Sequence, residues 1–336
     1  MNQLHNAFTL FLSLLVEAMP FLLLGVLLSG LLLLWIDERQ LIAVMPKNPI
    51  LGAFVGSCAG FLFPVCECGN VPVARRLLMQ GVPAPVAVGF LLAAPTINPI
   101  VIWSTWVAFR DQPEIVVLRV VFSLSIATII ASVFSVQSNL KPILQPAIAC
   151  ALPQMKTQTA EDETPTLLKS GTFWLGQPQP AMSAVGITGG GIMGQSITSK
   201  PLSFKLRMLL ENTVQELREL GGVLILGSAI AAAIQVLVPR ELILSLGQGP
   251  IASILAMMVL AALVSICSTV DSFFALSFAT TFTSGSLLAF LVFGPMIDLK
   301  GIGLMLSIFK PRAVFYLFGL AAQMTFIMTL LYTYFF

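Results

Sequence analysis

Residues 61–83 run FLFPVCECGNVPVARRLLMQGVP, and the rest of the chain is best understood outward from them. An apolar run reaches Pro64 and then meets a carboxylate between two thiols, Cys66, Glu67 and Cys68. Gly69, Asn70 and Pro72 follow, and after them the pair Arg75 and Arg76. Proline has no backbone donor and its ring clashes with the preceding turn, so a helix entering this stretch is expected to break. Inside a bilayer, a broken backbone carrying ionisable groups is tolerated only where protein covers it or where it lines a cavity. Such a stretch points to a path for a solute.

Composition supports a bilayer as the surrounding solvent. Of 336 residues, 57% are hydrophobic and only 10% charged, with a mean hydropathy of +0.96; soluble domains carry about 25% charged residues. The apolar segments reach the about 20 residues that a helix needs to cross the hydrocarbon. The expected class is all-α integral membrane, with lipid as the main partner. A formal net charge of +2 and the lack of a long basic stretch exclude nucleic acid as a partner. The first apolar segment, 7–36, is too long for a signal h-region and is expected to be a retained span. Five cysteines (Cys58, Cys66, Cys68, Cys150, Cys267) do not form a disulfide framework, and Cys58 and Cys150 suit packing. No cofactor is implied. The GGGIMGQS run lacks the lysine of a phosphate loop, and His5 is the single histidine.

In chain order, the first span carries Glu17 and Pro20. The second apolar segment starts near Ile50, has Gly52, Gly56 and Gly60 at a spacing that lets helices approach closely, and meets Pro64 after about 15 residues, short of a full crossing. A short helix is expected over 73–80, ending at Gly81. The third span, 84–109, is interrupted by AAPTINP at 93–99. The fourth, 114–136, carries Arg119, expected to snorkel to an interface. Residues 137–205 hold seven prolines, the acidic run Glu161, Asp162 and Glu163, and a Gly/Ser/Thr-rich tract, and are expected to be a flexible polar linker.

The second part then echoes the first. Glu17 and Gly25 correspond to Glu219 and Gly227, Arg39 to Arg240, Cys66 to Cys267, Asn70 to Asp271, Pro95 to Pro295 and Asn98 to Asp298, each pair 200 to 202 positions apart. Ordered landmarks at a nearly constant offset mark an internal duplication: a first membrane repeat over 1–136 and a second over 206–336. About eight transmembrane helices in two homologous halves are expected, with broken or re-entrant helices at the repeat interface, where solutes bind in such transporters. Eight full crossings would put both termini and the linker on one side, with a positive-inside bias toward cytoplasmic termini. Re-entrant segments would instead relate the halves by inversion.

If the breaks meet at the midplane, Cys66, Cys68 and Cys267 converge. Soft thiolates suit soft metal ions and trivalent metalloids; helix packing and thiol redox chemistry are the alternatives. Glu67, Asp271 and Asp298, joined by Glu17 and Glu219, are carboxylates at membrane depth. They either carry protons or are neutralised by Arg75 or Arg76 for Glu67 and by Lys300 for Asp298. Glu17 and Glu219 suit a repeated structural anchor. Arg75 and Arg76 either hold the interface or gate the path and contact an anion. Asn70 and Asn98 complete the candidate set.

PVCECGNVPVARRL at 64–77 with GVPAPVAVGFLLAAPTINP at 81–99, and CSTVDSFFALSF at 267–278 with GPMIDLKG at 294–301, resemble the predicted permease family that includes the ArsP-type organoarsenical efflux permeases. The resemblance covers both halves. It implies a multi-pass cytoplasmic-membrane permease of about eight spans without an ATPase subunit, not an enzyme, and, for the characterised branch, export of trivalent organoarsenicals through membrane cysteines. Carried onto this chain, that role falls on Cys66, Cys68 and Cys267, with a polar lining of Asn70, Asn98, Asp271 and Asp298. The expected function is a secondary-active permease exporting a soft, thiol-reactive solute, with proton coupling. The alternatives are a permease for another small or anionic solute and a membrane-embedded thiol redox protein using Cys66 and Cys68.

Overall fold

A computed structural model describes residues 2–35, 45–46, 48–63, 65–135, 144–145, 202–237, 249–279 and 281–335. Among these the chain forms helices in two matching series. The first is α1 (Asn2–Trp35), α2 (Pro49–Ala59, prolonged by a 3-10 turn at Gly60–Leu62), α3 (Glu67–Met79), α4 (Ala84–Ile97), α5 (Pro99–Ala108) and α6 (Pro113–Ser135). The second is α7 (Leu202–Leu237), α8 (Pro250–Val264), α9 (Ser268–Leu276), α10 (Ser284–Met296), α11 (Leu299–Met305) and α12 (Pro311–Phe335). The apolar segments sort into six long ones, α1, α4–α5, α6, α7, α10–α11 and α12, and two short ones, Pro49–Leu62 and Pro250–Val264. The protein is an all-α membrane protein. Most of the proposed linker, 137–205, lies outside the described residues, as does Cys150; Gln145 is described and donates from Nε2 to the Leu306 carbonyl at 2.9 Å.

The breaks have local causes. Asn98 precedes Pro99, which disfavours helical backbone at the residue before it, and Asn98 is extended at φ −58°, ψ 134°. The return helix starts earlier than expected: Cys66 is extended, and α3 begins at Glu67 instead of 73. Pro72 is held inside α3, where it cannot donate to the Cys68 carbonyl. Gly81 ends the segment at φ 81°.

Contact registers fix the directions. Gly56 lies against Val86 and Gly60 against Ala94, so α2 and α4 run parallel. Asn70 reaches Leu91 and Asn98 reaches Val65, so α3 runs antiparallel to α4. The chain therefore enters along α2, turns at 63–66 and returns along α3 as a re-entrant hairpin. In the second half Ala261 faces Gly294, and Ser265 bonds Leu299, the same parallel register for α8 against α10–α11. Each half then has three crossings and one hairpin. Consistent with that odd number, the equivalent helices α1 and α7 run antiparallel: Ser29 meets Glu216, Gly30 meets Leu209 and Thr213, and Leu14 packs with Ala231 and Ala232. Asn2 and Phe335 thus lie at one end of the bundle, and Ser135 and Leu202 at the other, called here the linker end.

The broken spans form the centre. In α4–α5 and α10–α11, 78% and 83% of the most apolar window is buried, against 28–44% for the four unbroken spans. Small residues permit the closest approaches. A Cβ on Gly25 of α1 would lie inside the backbone of Gly69 on α3, whereas one on Gly222 of α7 would meet nothing within 4 Å. Gly25→Ala is expected to destabilise by about 1–3 kcal/mol as an overpacked contact, and Gly222→Ala to be neutral or slightly stabilising; thermal unfolding in detergent checks both. A compartment reporter inserted within 146–201 should read the side opposite to one fused after Phe336.

Candidate functional site

Each hairpin tip is tied to a broken span by groups that the breaks set free. Pro95 cannot donate to the Leu91 carbonyl, and Asn70 Nδ2 takes that place at 2.6 Å. Asn98 Nδ2 donates to the Val65 carbonyl at 3.3 Å, and its Oδ1 accepts from the Ile100 N–H at 2.9 Å, capping α5. In the second half Asp298 caps α11, its Oδ1 accepting from the Gly301 N–H at 2.6 Å, while Ser265 Oγ accepts from the Leu299 N–H at 3.1 Å. Asn98 and Asp298 thus perform the same backbone task.

That anchoring brings the tips together. Cys66 and Cys267 stand at the N-caps of α3 and α9. Their Sγ atoms and one carboxylate oxygen of Glu67 all lie within 4.8 Å of one another, and all three residues are buried. The cluster holds one thiol from each half. Cys68 is buried as well and interacts with Cys66, though it is not part of the close trio, and Cys58 lies on α2. Of the expected thiol set, Cys66 and Cys267 face each other beside Glu67, and Cys68 neighbours Cys66.

Charges surround the thiols. Lys300, 1% exposed, places Nζ 4.0 Å from Glu67 Oε1 and 4.0 Å from Asp298 Oδ2, longer than the about 2.8 Å of a hydrogen-bonded ion pair. The cation beside Glu67 is therefore Lys300, not Arg75 or Arg76. Glu67 Oε2, Asp298 Oδ2 and Glu17 Oε1 are buried without hydrogen-bond partners, and Glu17 acts electrostatically on both Lys300 and Asp271. Asp271 is buried on α9 and also feels the charge of Arg119.

Arg119 does not snorkel. It is 1% exposed, with Nη1 donating to Thr105 Oγ1 at 2.6 Å and Ser272 Oγ at 2.9 Å, and Nη2 to the Ser268 carbonyl at 3.3 Å. It joins α5, α6 and α9. The sequence carried a signal for this: Arg119, Ser123, Ala127 and Ala131 share one helical stripe of small or polar residues, and all four are buried.

Toward the linker end, Arg75 Nη1 pairs with Glu219 Oε2 at 3.0 Å, and Ser29 Oγ donates to Glu216 Oε1 at 3.4 Å, with Arg76 acting on Glu216. Glu17 and Glu219 therefore have different surroundings. Glu219 is half exposed in an ion pair, while Glu17 turns an unpartnered oxygen inward.

Residues 3–334 match the model of the ArsP-type predicted permease family. The chain belongs to this family. It is 38% identical over 309 residues to the UPF0718 protein YcgR of Bacillus subtilis (strain 168), covering 92% of this chain and 90% of that one. It is 31% identical over 310 residues to a protein of Streptococcus mutans named as a two-component membrane permease complex subunit, covering 92% and 89%. No solved structure matches the chain. This permease is a multi-pass membrane transporter. With the chain cut by protease within 146–201, mild oxidation should link Cys66 to Cys267 and hold the halves together on a non-reducing gel. Cys66→Ser and Cys267→Ser should abolish the link, and Cys68→Ser should leave it.

Proposed function

We propose that this permease is a secondary-active exporter of a soft, thiol-reactive solute, best matched by a mono-organic trivalent arsenical. The observation that carries this reading is the facing of Cys66 and Cys267, one thiol from each half, beside a buried carboxylate. Capture is chemically neutral. A dihydroxy arsenical exchanges its two hydroxyls for two Cys sulfurs: two As–O bonds break, two As–S bonds form, and two waters leave. No electron transfer or net charge change is needed, so soft sulfur donors suffice. Two sulfurs match a centre that already carries one carbon substituent. Asn70, Asn98, Asp271 and Asp298 line the surroundings, and Cys68 neighbours Cys66.

The functional units are a first half over 1–136, a linker over 137–205 and a second half over 206–336. Orientation follows from the connections. Segments joining helices at the linker end carry Arg39, Lys47, Lys141, Lys156, Lys169, Lys200 and Lys310, with Arg75, Arg76, Arg207 and Arg312 on adjoining helices, against Arg110 and Arg240 at the other end. The positive-inside rule then makes the linker end cytoplasmic and places the termini outside. The cytoplasmic termini expected from eight crossings give way because each half turns back once. On this reading Arg75–Glu219, which ties α3 to α7 toward the linker end, closes the cytoplasmic side, and the buried carboxylates carry the coupling proton. The plasma membrane is the location. A second subunit, as the name of the Streptococcus relative states for that protein, is a further partner of this chain.

Expression in arsenical-sensitive cells tests this. Wild type should confer resistance to a mono-organic trivalent arsenical, lost at least about tenfold in Cys66→Ser and Cys267→Ser, since each removes one of two covalent ligands. Cys68→Ser should stay near wild type. Arsenite, antimonite and zinc serve as comparison solutes, and resistance to none of the four would refute the assignment. Uptake into everted proteoliposomes should rise with an imposed pH gradient; equal flux without it would remove the proton.

A further inference from the structure

We propose that Lys300 is the release residue of the transport cycle: by drawing on the Glu67 carboxylate beside the thiol pair when α3 and α11 approach, it weakens that carboxylate as a donor and lowers the affinity of the site on the outward-facing side. This rests on the thiol-capture reading above.

Glu67 belongs to two groupings at once. One carboxylate oxygen lies within 4.8 Å of both Cys66 Sγ and Cys267 Sγ, where it can serve as a third donor to an electropositive centre held between the sulfurs. Its Oε1 also lies 4.0 Å from Lys300 Nζ. Glu67 opens α3 in the first half, whereas Asp298 and Lys300 open α11 in the second, and α3 packs on α11 with Glu67 facing Lys300 where both helices start. The Glu67–Lys300 pairing is therefore a bridge between halves, and its length depends on how closely α3 and α11 approach. With Lys300 1% and Glu67 6% exposed, water does little to compensate either charge, so their mutual attraction is felt at low dielectric.

Asp298 holds Lys300 in place. Its Oδ1 is committed to the Gly301 N–H at 2.6 Å while its Oδ2 faces Nζ at 4.0 Å. Closure of the linker end thus delivers a positioned ammonium to Glu67, and opening withdraws it. In the open state the Glu67 carboxylate is a full donor to the bound centre; in the closed state Lys300 shares it. Affinity is high toward the linker side and low toward the other, the polarity an exporter needs. By reciprocity the bound solute favours separation of α3 from α11. The device is one-sided. At the repeat-related positions stand Ser268 for Glu67, Ile100 for Lys300 and Asn98 for Asp298, all uncharged.

The test uses the purified full chain and phenylarsine oxide as the probe, with equilibrium binding, proteoliposome flux, and a spin-label distance between Met79 and Leu306 near the linker ends of α3 and α11. Lys300→Met and Lys300→Gln should bind the probe about tenfold more tightly while flux falls by a similar factor, and Lys300→Arg should restore both. Glu67→Gln should weaken binding, and adding Lys300→Gln to it should change affinity no further. Without probe, Lys300→Gln should lengthen the α3–α11 distance, and in wild type the probe should do the same. Unchanged affinity together with an unchanged distance in both Lys300 variants would overturn the role of Lys300. If wild type binds no probe, the thiol-capture reading fails separately, and the probe-free distance alone decides whether the bridge holds α3 to α11.

Discussion

A peptide carbonyl stripped of its helical donor inside lipid costs several kcal/mol unless another donor reaches it, and the architecture follows from how this chain meets that demand. Pro95 strips Leu91, and Asn70 answers from the tip of the neighbouring hairpin. Asn98 both ends one half-helix and holds the Val65 carbonyl of the same tip. Because these donors are side chains on α3 and at the α4–α5 joint, the hairpin cannot sit elsewhere. Its tip is pinned at the level of the break, and Cys66 and Glu67 are pinned with it.

The second half solves the same backbone problem with different chemistry. Asp298 replaces Asn98 as the cap, and Lys300 follows where the first half has Ile100. A neutral cap suffices for the backbone, so the carboxylate and the buried ammonium are additions to a common scaffold. They lie next to the thiols, and the ammonium reaches across to Glu67. Arg119 supplies the matching cation on the other side of the site, bound to hydroxyls and a carbonyl in place of a close ion pair. The two matching helix series give the site its symmetry of shape, while its charges differ between them.

Peripheral and central helices carry distinct burdens. The unbroken spans α1, α6, α7 and α12 show most of their surface outward, while the broken spans are almost enclosed. Backbone irregularity is thereby confined to helices that other helices cover, as the absence of water in hydrocarbon requires. The pairing of α1 with α7 adds the charged contact Arg75–Glu219 where α3 reaches the linker end.

Membrane class, the places of the breaks and the constant offset between landmarks were legible in the residues, because apolar length, proline chemistry and spacing are properties of the sequence itself. The meeting of Cys66 with Cys267 was legible only as a consequence of that offset. Cys68 was expected with them and neighbours Cys66, but only the fold shows which thiol faces the other half. Helix direction was likewise hidden. Fourteen apolar residues followed by a turn fit a crossing or a return equally well, and the registers Gly60–Ala94 and Asn70–Leu91 settle that the chain returns. The partners of Glu67 and Arg119 belong to the tertiary structure alone, since they lie on other helices, and a buried charge takes whichever counter-charge or hydrogen-bonding group the packing brings near.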